Sequence, residues 1–341
     1  MRMDVELSSE AIRETKGRRV PKVSVVLPTY NSAHFLGTAI QSVLGQTFQD
    51  WELIVVDDGS TDNTRDVVAA FLDPRIRYVH QENRGAPAAL NAGLRLARGA
   101  YVAFLGADDR WLAEKLALQV AQLDGLPLKV AMVYADLHLL NLEDDTILGR
   151  FLDGREPPRG RVLSQLVRTE GSFIHPCASL IRREVFERVG LFDESLKTHE
   201  DWDLWIRIAT VYEVEALDIP LAVYGRRPSQ LTKDVRQMYL DGVEAKLRVL
   251  QTHTLRPSDR RALRHYLAHH HYGYGIKSLN LGWRKEAWKA FLRSLRLRPG
   301  ERKTYIHLGL PLLSPRLYRW FCISRERLLS SNRRSERLPR W

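Results

Sequence analysis

The chain has 341 residues, 44% of them hydrophobic, enough to bury a full core, which excludes a disordered tail or a small stapled scaffold. Its two cysteines, Cys177 and Cys322, are too few and too distant for a disulfide framework or a cysteine zinc site, so a reducing, cytoplasmic setting is expected. The formal net charge is +11, with the basic excess toward the C-terminal end; the start carries no apolar leader and no run approaches the roughly 20 apolar residues of a membrane-spanning helix, so neither signal-peptide secretion nor membrane integration is expected.

The first 20 residues mix charges without an apolar core and read as a tail. From Lys22 the run KVSVVLPTY is β-branched and strand-like, and Leu36, Ile40, Val43 and Leu44 then recur at helical spacing between about Ala33 and Gln46. WELIVVDDGS is a second buried strand, Asp62 an N-cap for a helix to about Leu72, and RIRYVHQ a third strand. A helix over APAALNAGLRLARG, with Leu90, Leu94 and Ala97 in register, leads to a fourth strand, YVAFLGADD. Such alternation predicts an α/β fold, a mostly parallel sheet with helices on both faces.

In such sheets ligands bind just beyond the carboxyl ends of the strands. The polar punctuation falls there: PTYNS (Pro28 to Ser32), DDGSTD (Asp57 to Asp62), ENRGAP (Glu82 to Pro87) and GADD follow the four strands in turn. Singly these are turns and caps; together on one edge they predict a site. Neither G-x-G-x-x-G nor G-x-x-x-x-G-K-[ST] occurs at the first strand, so a dinucleotide cradle and a Walker loop are unsupported. Two adjacent acids at a strand end, Asp108 and Asp109, suit a hard divalent cation such as Mg²⁺ or Mn²⁺, which takes carboxylate oxygens together with substrate phosphate oxygens. Further on, Glu200 and Asp201 open a helix whose Leu204, Trp205 and Ile208 fall at helical spacing. On residue types alone Asp201 reads as a helix cap worth about 0.5–2 kcal/mol.

Three stretches, VSVVLPTYNSAHFLGTAIQSVLGQTFQDWELIVVDDGSTDNT, NRGAPAALNAGLRLARGAYVAFLGADDRW and GLFDESLKTHEDWDLW, together resemble a family 2 glycosyltransferase of the GT-A fold, over about Lys22 to Leu231. The resemblance implies a nucleotide-diphosphate sugar donor, UDP-linked by analogy, a divalent metal (Mn²⁺ or Mg²⁺) and inversion at the anomeric carbon. The acceptor it implies is a hydroxyl of a glycan or of a polyprenyl-linked lipid, as in cell-surface polysaccharide synthesis. By the same resemblance Pro28, Tyr30 and Asp58 match residues lining the nucleoside pocket, Asp58 facing the base, while Arg84 and Ala107 match donor-side positions. Asp108 matches the metal-binding carboxylate of the D-x-D motif, with Asp109 beside it; Asp201 matches the general base and Glu200 its companion. The base is then a carboxylate of ordinary pKa that takes the acceptor's proton in the transition state. The chain departs from the pattern at Gly106, where many members carry an acid (LDADD for LGADD), and at Leu90, where Arg is common.

The organisation expected is a tail over 1–20, a GT-A domain over 21–235 with a nucleotide-sugar half (21–110) and an acceptor half (111–235), and a basic helical region over 236–341. His175 and Cys177, two apart with no orienting group, suit core packing better than a nucleophile pair. His265 and His269 share a helical face, open to zinc or to an ordinary surface role, and GWRKEAWKAFLRSLRLRP resembles one tetratricopeptide-type unit. From Thr304 onward Leu, Tyr, Trp and Phe interleave with Arg, which suits peripheral contact with the anionic inner face of the plasma membrane, or else a closing helical layer or a homodimer contact. Two other functions stay open: a sugar nucleotidyltransferase, which ordinarily shows a Gly-rich basic loop where this chain has PTYNS, and a non-catalytic nucleotide-sugar-binding scaffold on the same fold. A nucleic-acid partner would require a reading motif, and none is found.

Overall fold

The first two strands, β1 (Val23–Thr29) and β2 (Trp51–Asp57), are buried along nearly their whole lengths, as expected of strands covered by helices on both faces. The structure is a computed structural model that describes residues 19–168, 172–227, 234–252 and 255–313. With β3 (Ile76–His80) and β4 (Tyr101–Phe104), these strands pair in parallel in the order β3-β2-β1-β4. The crossovers are α1 (Ala33–Leu44), α2 (Thr64–Ala69) and α3 (Ala86–Leu96).

Beyond β4 the sheet becomes mixed. It is built from β5 (Arg110–Trp111), β6 (Val130–Asn141), β7 (Thr146–Arg150), β8 (Ser179–Arg182) and β9 (Glu213–Arg226), continuing in the order β4-β8-β6-β9-β5, with β7 paired off this path to the end of β6. Of these pairings only β6–β9 is parallel. Four helices accompany this half: α4 (Lys115–Asp124), α5 (Leu163–Arg168), α6 (Glu184–Val189) and α7 (Glu200–Val211).

Two boundaries differ from the periodicity. α2 stops at Ala69 because Leu72 is 93% exposed, leaving no apolar burial to extend it. Asp62 precedes the helix rather than capping it at the expected position. Its Oδ1 accepts from Thr64 N and Oγ1, and its Oδ2 from Ala33 N, so one carboxylate braces the starts of both α1 and α2.

The chain divides into two compact units, the first running to residue 166 and again from 171 to 230, the second built from 167–170 and from 231 onward. The second contains α8 (Val235–Thr252), α9 (Pro257–Asn280), α10 (Arg284–Leu297) and α11 (Arg302–Leu313). Its histidine run serves packing: Tyr239 stacks on Tyr274 at 3.8 Å between ring centroids, shares a hydrogen bond of 2.8 Å with His271 Nδ1, and stacks against His270. His265 faces Arg298, and no third donor joins His265 and His269 in a metal-type cluster among the described residues. No helix of the described residues is long and apolar enough to cross a membrane. The N-terminal tail through residue 18, Cys322 and the interleaved stretch after Leu313 lie outside the described residues.

Candidate active site

The loops after β1, β2 and β3 are tied into one edge. Asp58, buried, donates its N–H to Thr29 O at 2.9 Å, and its carboxylate accepts from Gln81 Nε2 (2.7 Å), Arg84 N (3.0 Å) and Gly85 N (2.7 Å). Three donors on two oxygens fix its plane and leave about one acceptor site. Asn31 sits in the left-handed region (φ 45°), where its N–H reaches Ser60 Oγ and its Oδ1 accepts from Thr61 N, joining the first two loops. Burial alone would raise the Asp57 carboxyl, but hydrogen bonds from Ser60 and Tyr78 outweigh it and hold the group below its ordinary value. Pro28 is partly buried near the end of β1, and Tyr30 is 49% exposed at the lip of this edge.

The acidic corner lies at the end of β4. A Cβ placed on Gly106 would stand 2.8 Å from Asp109 Oδ2 and 3.2 Å from Asp108 Oδ1, so the two carboxylates each turn an oxygen toward the same bare position. Ala107, between Gly106 and Asp108 in the chain, is buried. β9 closes over this corner: Gly225 N donates to Asp109 Oδ1 at 3.1 Å, and any side chain on Gly225 would strike the Asp108 carbonyl. Just beyond β9, Arg227 Nε lies 3.1 Å from Asp108 Oδ2, with its guanidinium over the Phe35 ring. Arg227 and Gly225 were not singled out by sequence patterning; they act across more than a hundred residues, and RR at a strand end carries no motif of its own.

Behind the acids is a buried polar cluster. Burial, and then the neighbouring Asp108, push the Asp109 carboxyl up to about 8. Asp109, His175 and Cys177 bring their donor atoms within 4.8 Å of one another. His175 Nδ1 lies 3.0 Å from Cys177 Sγ and also accepts from Cys177 N. Burial lowers His175 to about 4 and raises the Cys177 thiol well above its ordinary value. Neutral imidazole beside neutral thiol is the reverse of an activated nucleophile pair, so this contact belongs to packing. Trp111 donates to Cys177 O at 2.8 Å and pins the turn.

The second acidic pair opens α7. His199 adopts a left-handed backbone (φ 62°), and this tight reversal delivers Glu200 and Asp201 as the first residues of the helix. Asp201 Oδ1 accepts from Trp202 N at 2.7 Å; even so, burial pushes its carboxyl up to about 6, above the ordinary carboxylate expected from sequence. The loop before α7 is clamped on both sides: Arg207 donates to Val189 O and Leu191 O, and Asn91 of α3 exchanges two hydrogen bonds with the backbone of Phe192. Arg84 reaches that loop at Glu194. Leu90 is buried.

The oxygen donors around Gly106 fit a hard divalent ion: two carboxylates each turn an oxygen toward one position, with Arg227 paired to Asp108 and the softer His175 and Cys177 behind Asp109. A cation there would also favour the ionised form of Asp109 over the neutral form that burial favours.

The profile of the family described as Glycosyl transferase family 2 matches residues 24–190. The Escherichia coli protein WfgD, a UDP-Glc:alpha-D-GlcNAc-diphosphoundecaprenol beta-1,3-glucosyltransferase, is 32% identical over 211 residues, 61% of this chain and 78% of that one. An uncharacterized glycosyltransferase of Rickettsia prowazekii is 36% identical over 195 residues; the match covers 56% of this chain and 61% of that protein, so this chain spans less than two thirds of its length. The fold is that of S. aureus TarS in complex with UDP-GlcNAc (TM-score 0.62, 20% identity, 81% of each chain). It is also that of the mannosyltransferase PcManGT from Pyrobaculum calidifontis in complex with GDP-Man and Mn²⁺ (TM-score 0.56, 22% identity, 91% of this chain and 88% of that).

Proposed function

Because the chain belongs to glycosyltransferase family 2, we propose that it is an inverting, metal-dependent enzyme that moves a sugar from a nucleotide-diphosphate donor, UDP-linked, to a hydroxyl of a glycan or polyprenyl-diphosphate-linked acceptor. The observation that carries this reading is the convergence of Asp108 and Asp109 oxygens on the space above Gly106, at the strand-end edge that also holds Asp58. The UDP preference and the lipid-linked acceptor are supported by the likeness to WfgD, and the metal by the chemistry of the two carboxylates.

In this reading Asp58 and the loop from Gln81 to Gly85 receive the base, with Pro28 and Tyr30 lining the nucleoside pocket and Arg84 and Ala107 on the donor side. Asp108, with Asp109 beside it, holds Mn²⁺ or Mg²⁺. When bound, the ion supplies positive charge to the departing diphosphate. Asp201 accepts the proton of the acceptor hydroxyl as its oxygen attacks the anomeric carbon. The bond from that carbon to the diphosphate oxygen breaks in the same step, its electron pair leaving with the diphosphate, and configuration inverts. A base with a value near 6 is ionised at neutral pH and is better matched to this proton than an ordinary carboxylate. Glu200 flanks Asp201 at the helix start.

The test is Asp108→Ala in a transfer assay with Mn²⁺ or Mg²⁺, following release of nucleoside diphosphate. Metal-dependent transfer should disappear, a loss of several kcal/mol of transition-state stabilisation. Full activity of the variant in the presence of chelator would remove the metal from the account. Contact with the anionic inner face of the plasma membrane through the basic C-terminal stretch belongs to the same proposal, since a polyprenyl-linked acceptor resides there.

A further inference from the structure

Asp108 already has a cation. The Arg227 guanidinium lies 3.1 Å from its Oδ2, with the two side chains only 28% and 17% exposed. No other ion pair involving either Asp108 or Arg227 is found among the described residues, and the Nε atom that faces Asp108 is buried without a hydrogen bond, so the contact is an ion pair alone. The pair is anchored from both directions. The backbone of β9 is fastened to the acidic corner by Gly225 N to Asp109 and by the tight fit of Gly225 against the Asp108 carbonyl. Arg226 O, next in line, accepts from Leu142 N at 3.0 Å, so the chain is fixed up to the residue before Arg227. The Phe35 ring, 5.4 Å from the guanidinium, supplies a second surface on which a cation can rest.

We propose that Arg227 is a resident counter-ion that exchanges with the metal: it neutralises Asp108 in the donor-free enzyme, gives up that carboxylate when the divalent ion arrives with the donor, and then binds the donor's diphosphate. The inference rests on the reading that Asp108 holds the ion. Its logic is charge balance. With no ion bound, Asp108 without Arg227 would be a partly buried carboxylate beside Asp109 with no opposite charge, an expensive arrangement. With the ion bound, the negative charge of the diphosphate and of the Asp108 and Asp109 carboxylates together exceeds that of a divalent ion, and a retained guanidinium offsets part of the excess. Arg is suited to both partners, since its planar fork matches carboxylate and phosphate oxygens alike. The exchange makes metal and donor binding cooperative: the ion alone must displace Arg227 without recompense, whereas ion and diphosphate together offer Arg227 a new anion. Arg227 is thus a donor-binding residue as well as a gate on the metal.

The experiment measures Mn²⁺ affinity of the full chain by the electron paramagnetic resonance signal of free Mn²⁺, and nucleotide affinity by titration calorimetry with UDP, GDP in parallel. The variants are Arg227→Gln, Arg227→Lys and Asp108→Asn. Arg227→Gln should bind Mn²⁺ about 3- to 10-fold more tightly without nucleotide, and UDP about 3- to 10-fold more weakly at saturating Mn²⁺. Arg227→Lys should fall between it and the parent on both scales. A merely structural role moves both affinities the same way; opposite signs are the signature of exchange. If Arg227→Gln fails to fold by circular dichroism, the lysine variant carries the same test. Mn²⁺ affinity unchanged or weakened in Arg227→Gln, while Asp108→Asn abolishes Mn²⁺ binding, overturns the exchange and leaves the metal reading standing. Mn²⁺ binding untouched by Asp108→Asn overturns the metal reading and the exchange with it.

Discussion

Arg84 donates from Nη2 to Glu194 Oε2 at 2.7 Å, joining residues 110 apart in the chain. Asn91 Nδ2 reaches the other oxygen at 3.0 Å and Arg95 lies 3.5 Å from it, so Glu194 gathers three donors from the α3 region; led by Asn91, they hold its carboxyl below its ordinary value. Through this contact the edge that carries Asp58 holds the loop that leads into α7 and Asp201.

Glu194→Gln therefore separates stability from catalysis. The ion pairs are partly exposed, with Arg84 56% and Glu194 31% accessible, so their loss costs less than about 1 kcal/mol. Turnover should fall about 3- to 10-fold, because small misplacement of a reacting group is costly. Thermal melting beside a transfer assay checks this; unaltered turnover would free the loop from any positioning role.

Asp201 sets the acid limb of the pH profile. Its value of about 6 means that kcat/KM falls about tenfold per pH unit below 6 and levels off above it. Asp201→Asn should abolish the limb and lower turnover by at least ~10² while donor binding persists. Stability moves in the opposite sense. The folded value lies above the ordinary 3.8, so the folded chain binds this proton more tightly than the unfolded chain, and stability is lost as pH rises from about 4 through 6. The melting temperature of Asp201→Asn relative to the parent should accordingly rise between pH 4 and pH 7. A flat difference would mean that Asp201 is solvated like a surface carboxylate.

Gly106→Ala fills the space between the acids. The new Cβ would lie 2.8 Å from Asp109 Oδ2, closer than packing allows, so one carboxylate must turn away. We expect about 1–3 kcal/mol of destabilisation and at least ~10-fold weaker Mn²⁺ binding, read from chemical denaturation and Mn²⁺ titration. Retained Mn²⁺ affinity would place the ion away from Gly106.

The C-terminal stretch is tested by co-sedimentation with anionic vesicles at low salt. Thr304 and His307 are buried within α11, so the informative truncation follows Leu313 rather than preceding Thr304. The full chain should pellet and the truncated chain should not, with about 1 kcal/mol contributed per basic residue near the surface. A full-length protein left in the supernatant would favour the helical-layer reading.

The parallel half was readable in the sequence because β1, β2 and β4 are short, largely apolar runs and each strand, the more polar β3 included, is closed by a polar loop, a pattern that local chemistry alone produces. Asp108 stood out for the same reason, since it follows a strand end, whereas Asp201 reads on residue types alone as a helix cap and gains its proposed role only from the family resemblance. The mixed half was not readable in this way, since the short strands β5 and β8, of two and four residues, gain their identity only from partners distant in sequence. Arg227, Gly225 and Glu194 were missed on the same physical ground. Their chemistry lies in contacts with Asp108, Asp109 and Arg84 across more than a hundred residues, and burial, which raises Asp201, leaves no trace in residue order.

The transfer itself is read with a donor panel: the purified full chain, Mn²⁺ or Mg²⁺, a set of nucleotide sugars and a polyprenyl-diphosphate-linked glycan acceptor. Released nucleoside diphosphate and the anomeric configuration of the product are both read, the latter by nuclear magnetic resonance. Transfer from a UDP-sugar is expected to require the metal, to be lost in Asp201→Asn and to invert the anomeric centre. A product of retained configuration, or transfer that persists undiminished in chelator, would contradict the proposed function.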